Sequence, residues 1–227
     1  MKILYLFLLI IAIYYVSKSR EGYSNTISDN KEVRKKIFHG LNILDKIFNK
    51  HKIYYTIAYG TLLGAVRHWD MIQWDDDADV HILRKDIDKI MELKDEFAKY
   101  GITLKKNWKL LKLYFNDTEY PFIDLFPIDN IEGETKRCCP KSYKCKQILQ
   151  KWWTSWYDFP YEWIKDRIKL KFGKLTLWAP KKYIKLLKFW YGPKCLTQCY
   201  SNPYNHMTGK FSKSKLIKCK NLPKPQI

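Results

Sequence analysis

The sequence predicts an α+β fold. Three observations carry that prediction: short runs rich in β-branched and aromatic residues, amphipathic helical patterns lying between them, and an alternating segment, Asp77 to Leu83, whose side chains divide between two faces of a strand. At 227 residues the chain suits one globular domain with an appended segment, and its 46% hydrophobic and 16% aromatic content excludes a mostly disordered protein.

Residues 1–20 open with an apolar run from Ile3 to Val16, flanked by Lys2 on one side and Lys18 and Arg20 on the other. The run is short for a full bilayer crossing, yet no small-x-small cleavage site follows it, and Tyr14 and Tyr15 stand where interfacial aromatics would. An uncleaved signal anchor is expected, a single-pass membrane segment; a cleaved signal and a buried core helix are the alternatives. Residues 21–28 are polar and turn-rich, a linker, and 29–227 form the expected catalytic domain. Asp29 with Glu32 resembles a capping box, and Val33, Ile37, Leu41, Leu44 and Phe48 recur at helical spacing. Ile53 to Tyr59 reads as a strand, Lys85 to Tyr100 as an amphipathic helix, and the stretch after Gly101 as a hairpin or strand pair. Pro121 to Asp129 is a third strand. Its Asp124, held between Ile123 and Leu125, is costly to bury unless paired, protonated or metal-bound. The aromatic stretch from Ile148 to Ile168 is read as core packing of a helical subdomain, with a stacking platform for a sugar or base as the alternative. Phe172 to Trp178 is expected as a strand, Ala179-Pro180 as the opening of a helix through Tyr191, and the tail beyond Cys195 as irregular structure held by its cysteines.

The charge balance is strongly basic, 42 Lys+Arg against 23 Asp+Glu for a net +19. Such a field attracts nucleic acid, anionic membrane or phosphorylated substrates alike. The cations are spread along the chain and gathered into no arm, which argues against nucleic acid as the partner. Six cysteines, Cys138, Cys139, Cys145, Cys195, Cys199 and Cys219, all lie in the C-terminal part. In an exported chain they permit disulfides; Cys138-Cys139 with Cys145, or Cys195-x-x-x-Cys199, are the alternatives for a structural zinc.

Against this basic background, Asp70, Asp75, Asp76, Asp77 and Asp79 crowd into ten positions. Strand alternation places Asp77, Asp79 and His81 on one face, and two neighbouring carboxylates repel unless a cation sits between them. Oxygen-rich sets of this kind suit Mg²⁺ or Mn²⁺. Upstream, Gly60-Thr61 follows a strand and precedes a helical segment, where glycine admits a ligand close to the backbone and free N–H groups receive an anion. Asp70, Asp75 and Asp76 are read as supporting or incidental, and His81 as a neighbour of the site.

Tyr59 to His68, YGTLLGAVRH, followed by Trp74 to Val80, WDDDADV, resembles the LicD family, which includes phosphocholine transferases of bacterial surface glycans and the fukutin and fukutin-related proteins that transfer ribitol phosphate. The likeness runs from the Asp29 helix to Asp124 and more loosely through Ala179 to Gly192. Trp69, Asp70 and Gln73 stand where the family usually carries Gly, Gly and Pro. The resemblance implies a nucleotidyltransferase-type fold, a mixed sheet with flanking helices. It implies that Asp77 and Asp79 hold the divalent metal, that Asp124 completes the site or serves as base, and that Arg67 meets a donor phosphate together with Gly60 and Thr61.

The function these expectations describe is metal-dependent transfer of a phospho-alcohol, phosphocholine- or pentitol-phosphate-like, from a CDP-activated donor to a glycan hydroxyl, carried out by a membrane-anchored enzyme facing the lumen or exterior. The rival readings are a nucleotidyltransferase that adds a nucleoside monophosphate to a small molecule or protein, and a non-catalytic glycan- or nucleic-acid-binding protein.

Overall fold

The computed structural model describes residues 31–107, 110–116, 118–131, 134–136 and 159–200, with short pieces at 204–206, 209–211, 213 and 216–217. The expected signal anchor, the linker, the Asp29 cap, the aromatic stretch up to 158 and four of the six cysteines lie outside the described residues. Among the described residues, no helix is long and apolar enough to cross a membrane.

The chain enters as a helix over 31–50 (α1). Val33, Ile37, Leu41, Leu44 and Phe48, the set the spacing selected, are all buried. Gly40 lets α1 approach the sheet, since a Cβ there would lie 2.6 Å from the Phe115 ring and 2.8 Å from Ile123. A five-strand path forms the mixed sheet, in the order β1 (Tyr55–Ile57), β2 (Ala78–Leu83), β5 (Thr118–Ile131), β4 (Leu110–Phe115) and β3 (Ile102–Asn107). β2 and β5 run parallel while the other neighbours on this path are antiparallel. β6 (Glu134–Lys136) and β7 (Phe159–Pro160) extend the sheet beyond β5.

Between β1 and β2 lies α2 (Tyr59–His68), which ends with Trp69 in the left-handed conformation at φ 58°. The predicted strand Ile53 to Tyr59 is therefore cut to three residues, because Tyr59 already belongs to α2. The predicted single helix from Lys85 to Tyr100 is broken into a 3₁₀ turn at Arg84–Asp86, α3 (Ile87–Met91) and α4 (Lys94–Ala98). Ile87, Ile90 and Leu93 are spaced by three, and the Leu93 amide bonds the Ile90 carbonyl in 3₁₀ fashion, which closes the first piece.

After α5 (Glu162–Lys165), β8 (Arg167–Phe172) and β9 (Leu175–Pro180) form a separate hairpin. This corrects the reading of Phe172 to Trp178 as one strand: Gly173, at φ 56°, turns the chain between two strands. Pro180 closes β9, so the following helix, α6 (Tyr183–Tyr191), starts three residues later than predicted. Among the described residues of the tail are four two-residue strands, β10 (Cys199–Tyr200) paired with β13 (Leu216–Ile217) and β11 (Tyr204–Asn205) paired with β12 (Lys210–Phe211). Tyr59, His81, Phe126, Phe159 and Trp190 meet ring to ring around the middle of β2, with Tyr59 and Trp190 centroids 4.5 Å apart. His81 is fully buried within this cluster, so it serves the core beside the site.

Candidate active site

The site begins with register. Across the sheet Asp79 on β2 lies opposite Asp124 on β5, which lies opposite Lys112 on β4. Residues paired this way point to the same face, so one row carries two carboxylates and an ammonium. Lys112 Nζ forms an ion pair with Asp124 Oδ1 at 2.7 Å and stands 3.5 Å from the centroid of the Phe122 ring, with both side chains mostly buried. Asp77, one residue before β2, folds over the same face: carboxylate oxygens of Asp77, Asp79 and Asp124 lie within 4.8 Å of one another. The three acids named from the sequence are thus brought together.

The start of α2 fixes Asp79 from the other side. The Asp79 amide donates to Thr61 Oγ1 at 2.8 Å, and the Gly60 amide donates to the Asp79 carboxylate. Thr61 is 3% exposed, so its hydroxyl holds the strand that carries Asp79 in place. Gly60 makes room as well, because a Cβ there would lie 2.9 Å from Asp75 Oδ2. Arg67 sits two turns along α2. It is 3% exposed, and its guanidinium donates to the carbonyls of Cys195 at 3.0 Å and Gln198 at 2.7 Å. Where the sequence placed a phosphate contact, the structure shows a clamp between α2 and the C-terminal segment, whose charge also favours the ionised form of Asp75.

Three further groups close the site. His206 bonds Asp76 Oδ1 through Nδ1 at 2.7 Å and reaches Asp77 Oδ2 through Nε2 at 3.3 Å. Asp76, Asp77 and His206 therefore form a second possible ligand set that shares Asp77 with the first. Tyr191, at the end of α6, feels the cluster directly: burial, then Asp79, Asp75 and Asp77, raise its phenol well above the ordinary value. Asp75, expected in a loop, is also drawn in. Of the site groups that the sequence did not single out, Tyr191 falls within the looser Ala179 to Gly192 resemblance, and Lys112 is one lysine among many in sequence. His206 stands 129 positions beyond Asp77 in a tail with no periodic pattern.

The electrostatics fit a cation. Burial, followed by Asp77 and Asp76, raises the Asp75 carboxyl well above its usual range. Burial lifts Asp77 to about 7, with Asp76 and Asp124 adding to the rise and His206 and Lys112 opposing it. Asp79 is raised by burial, Asp77 and Asp124, against the Gly60 amide. Burial alone would lower His206, but its bond to Asp76 and the charges of Asp77 and Asp124 outweigh that and raise it. Packed carboxylates that resist ionisation are satisfied by a divalent ion, which removes both the repulsion and the desolvation cost. The all-oxygen set of Asp77, Asp79 and Asp124 fits hard cations of the Mg²⁺ and Mn²⁺ type.

The cysteines divide differently. Cys199 is half of a disulfide and Cys195 is a buried free thiol. A disulfide sulfur offers no thiolate, so Cys195-x-x-x-Cys199 is not half of a zinc site.

A glycine-opened helix facing clustered carboxylates on parallel strands is a scaffold that could hold a metal ion. A model of the LicD/FKTN/FKRP nucleotidyltransferase domain matches residues 52–182, and the chain belongs to this family. It is similar to the lipopolysaccharide cholinephosphotransferase LicD of Haemophilus influenzae, 28% identical over 128 residues, 48% of each chain. It is also similar to the human ribitol 5-phosphate transferase FKRP, 24% identical over 163 residues, which cover 66% of this chain and 30% of that protein. An uncharacterised protein of Rickettsia typhi is 39% identical over 62 residues, 27% of this chain and 20% of its own. The chain spans about half or less of the length of these relatives. Among solved structures, the lincomycin-bound lincosamide adenylyltransferase LnuA aligns with a TM-score of 0.41 at 18% identity, over 65% of this chain and 82% of that one.

Proposed function

We propose that this chain catalyses metal-dependent transfer of a phospho-alcohol from a CDP-activated donor to a glycan hydroxyl. The observation that carries the reading is the convergence of Asp77, Asp79 and Asp124 on one sheet face, in a chain of a family whose relatives are named as cholinephosphate and ribitol 5-phosphate transferases. Asp77, Asp79 and Asp124 would hold Mg²⁺ or Mn²⁺, which when bound neutralises charge on the transferring and leaving phosphates.

The residues of the chain supply the rest. In the reaction, an acceptor hydroxyl oxygen bonds to the phosphorus that carries the alcohol, the bridging P–O bond to CMP breaks, and the hydroxyl proton leaves. Asp124 is the group placed to take that proton, its rotamer set by Lys112. Lys112 brings positive charge to the acid face, where a pyrophosphate would otherwise be repelled, and His206 holds Asp76 and Asp77 beside it. Thr61 and Gly60 keep Asp79 aimed. The aromatic cluster behind His81 makes the wall of the site rigid. A membrane-held enzyme facing an oxidising lumen or exterior agrees with the N-terminal apolar run and with the Cys199 disulfide.

The test is transfer from CDP-alcohols labelled separately in the alcohol and the cytidine. The alcohol label should reach the glycan, and Asp79→Asn should cut transfer by at least about 100-fold, more than the loss of a group that merely supports a metal ligand. Cytidine label on the acceptor would establish the nucleotidyltransferase reading instead. Transfer that survives Asp79→Asn would sink both.

A further inference from the structure

The other end of α2 carries a site of opposite character. A cavity of about 570 Å³ opens there, lined by Lys31, Arg34, Lys35, Lys171, Lys174 and Trp69. Among the described residues Asp70 is the one carboxylate on its wall, and it is already paired with Arg34. The lining therefore holds five cations against one acid. From Gly60 to Trp69 the chain advances nine residues, and at a rise of ~1.5 Å per residue the cavity stands about 13 Å from the acid cluster.

Three segments build this cavity, and each is fixed. The first turns of α1 bring Lys31, Arg34 and Lys35; Arg34 lies over the Phe38 ring at 4.9 Å, and Phe38 stacks on Phe172 at 5.2 Å. The β8–β9 turn brings Lys171 and Lys174, and its Gly173 amide donates to the Trp69 carbonyl at 2.6 Å. Gly173 leaves the floor clear, since a Cβ would come within 2.6 Å of the Phe38 ring and 2.9 Å of Asp70 Oδ1. Trp69 supplies the third wall. It ends α2 in the left-handed conformation at φ 58°, with the Asp70 amide donating to the Gly64 carbonyl, and this helix cap turns the chain into the cavity wall. Trp69 is 36% exposed, and Lys171 Nζ stands over one face of its ring, 5.6 Å from the centroid.

We propose that this cavity is a second ligand site, one that binds a phosphorylated saccharide with its phosphate among the lysines and Arg34 and a sugar face on Trp69. The volume suits a ligand of one or two sugar units. An aromatic face next to several cations matches a ligand that is apolar on one side and anionic on the other. The saccharide part rests on the glycan-acceptor reading above, whereas the anion part stands on the cavity alone. A phosphorylated segment held about 13 Å from the acid cluster would position a longer acceptor for attack.

Tryptophan fluorescence and calorimetric titration with mannose 6-phosphate, mannose and inorganic phosphate test the proposal on the full chain. Mannose 6-phosphate should bind and mannose should not. Lys171→Glu with Lys174→Glu should weaken binding at least tenfold, and Trp69→Gly should weaken mannose 6-phosphate more than inorganic phosphate without lowering thermal stability. Asp79→Asn should leave this binding intact, so loss of transfer and loss of binding report on different sites. The control is Lys46→Glu with Lys99→Glu, the same charge change on exposed positions elsewhere. Equal weakening by the control pair would overturn the site in favour of a diffuse field. Lysine-dependent binding to phosphatidylserine vesicles with no response to mannose 6-phosphate would overturn the saccharide assignment.

Discussion

The two ends of α2 differ in charge and in how they are built. At the start of the helix, four aspartates from one short loop and strand meet Asp124 and are stabilised by the Gly60 amide, Lys112 and His206. At its end, cations from three distant segments surround a cavity with one paired acid. The acid cluster is compact, mostly buried and internally repulsive. The basic cavity is open and its cations remain in contact with solvent. A cluster in the first condition is completed by a single small ion, while one in the second exchanges larger anionic ligands. One helix thus holds a tight site and a loose one at a set separation.

The largest effect that would break this contrast is the response to divalent ions. At pH 8 the carboxyl of Asp77, raised to about 7, is ionised at a cost to the fold. A raised carboxylate weakens the folded state as pH climbs through its folded value, so Asp77→Asn should raise the melting temperature of the metal-free protein, even though a contact with His206 is lost. Mn²⁺ should stabilise the native chain, by about 2.7 kcal/mol at a concentration 100 times the dissociation constant. The same ion should do almost nothing for Asp77→Asn. Thermal unfolding with and without EDTA measures both. If the native chain is indifferent to Mn²⁺ and Asp77→Asn lowers the metal-free stability, the acid cluster is held by its own cations and the contrast fails.

A smaller effect sharpens the role of the helix start. Thr61→Val keeps shape but removes the oxygen that accepts the Asp79 amide. The buried N–H then lacks its partner, which should cost about 1–3 kcal/mol. Because Asp79 loses its positioning, Mn²⁺ affinity should fall with stability, by about 10-fold or more as for other supporting groups. Mn²⁺ titration followed by thermal shift separates these outcomes. Unchanged affinity alongside lost stability would make Thr61 a core residue only.

That role was only half legible in the sequence. Gly60-Thr61 stood out because a glycine and a hydroxyl follow a strand, yet the expectation was a ligand contact, and the structure spends the hydroxyl on Asp79. The acid pair was legible because its two members are close in the chain and obey strand alternation. Asp124 emerged from its apolar neighbours and the family resemblance. Lys112 and His206 were hidden, since register across β4 and β5 and the path of the tail are tertiary facts that no local pattern encodes. The clamp made by Arg67 was hidden for the same reason: its partners are backbone carbonyls more than 120 positions away, which leave no trace in side-chain identity. The sheet itself was readable in outline. Its breaks were not, because a left-handed residue such as Trp69 or the turn at Gly173 is set by what packs around it.

The smallest effect concerns His68, at the junction between the last turn of α2 and the cavity wall. Burial, then the charge of Arg67, lowers its imidazole to about 4, with Asp70 opposing. It is therefore neutral at pH 7, and the positive charge of the cavity belongs to lysine and arginine alone. Its folded value lies below its ordinary value of 6.5, so the unfolded chain binds more protons between these limits, and the contribution to stability is complete above pH 6.5 and lost as pH falls towards 4. The ring is half-buried and solvent screens it, which holds the effect below about 1 kcal/mol. His68→Asn should flatten the fall in stability between pH 6.5 and 4.5, measured by urea unfolding at each pH. Mannose 6-phosphate affinity over pH 7 to 5.5 should be almost the same in both proteins, because His68 stays uncharged throughout. A native-chain affinity that rises several-fold as pH drops, and does so only with His68 present, would show that the histidine takes up charge at the cavity, and the two ends of α2 would then be less distinct than their geometry indicates.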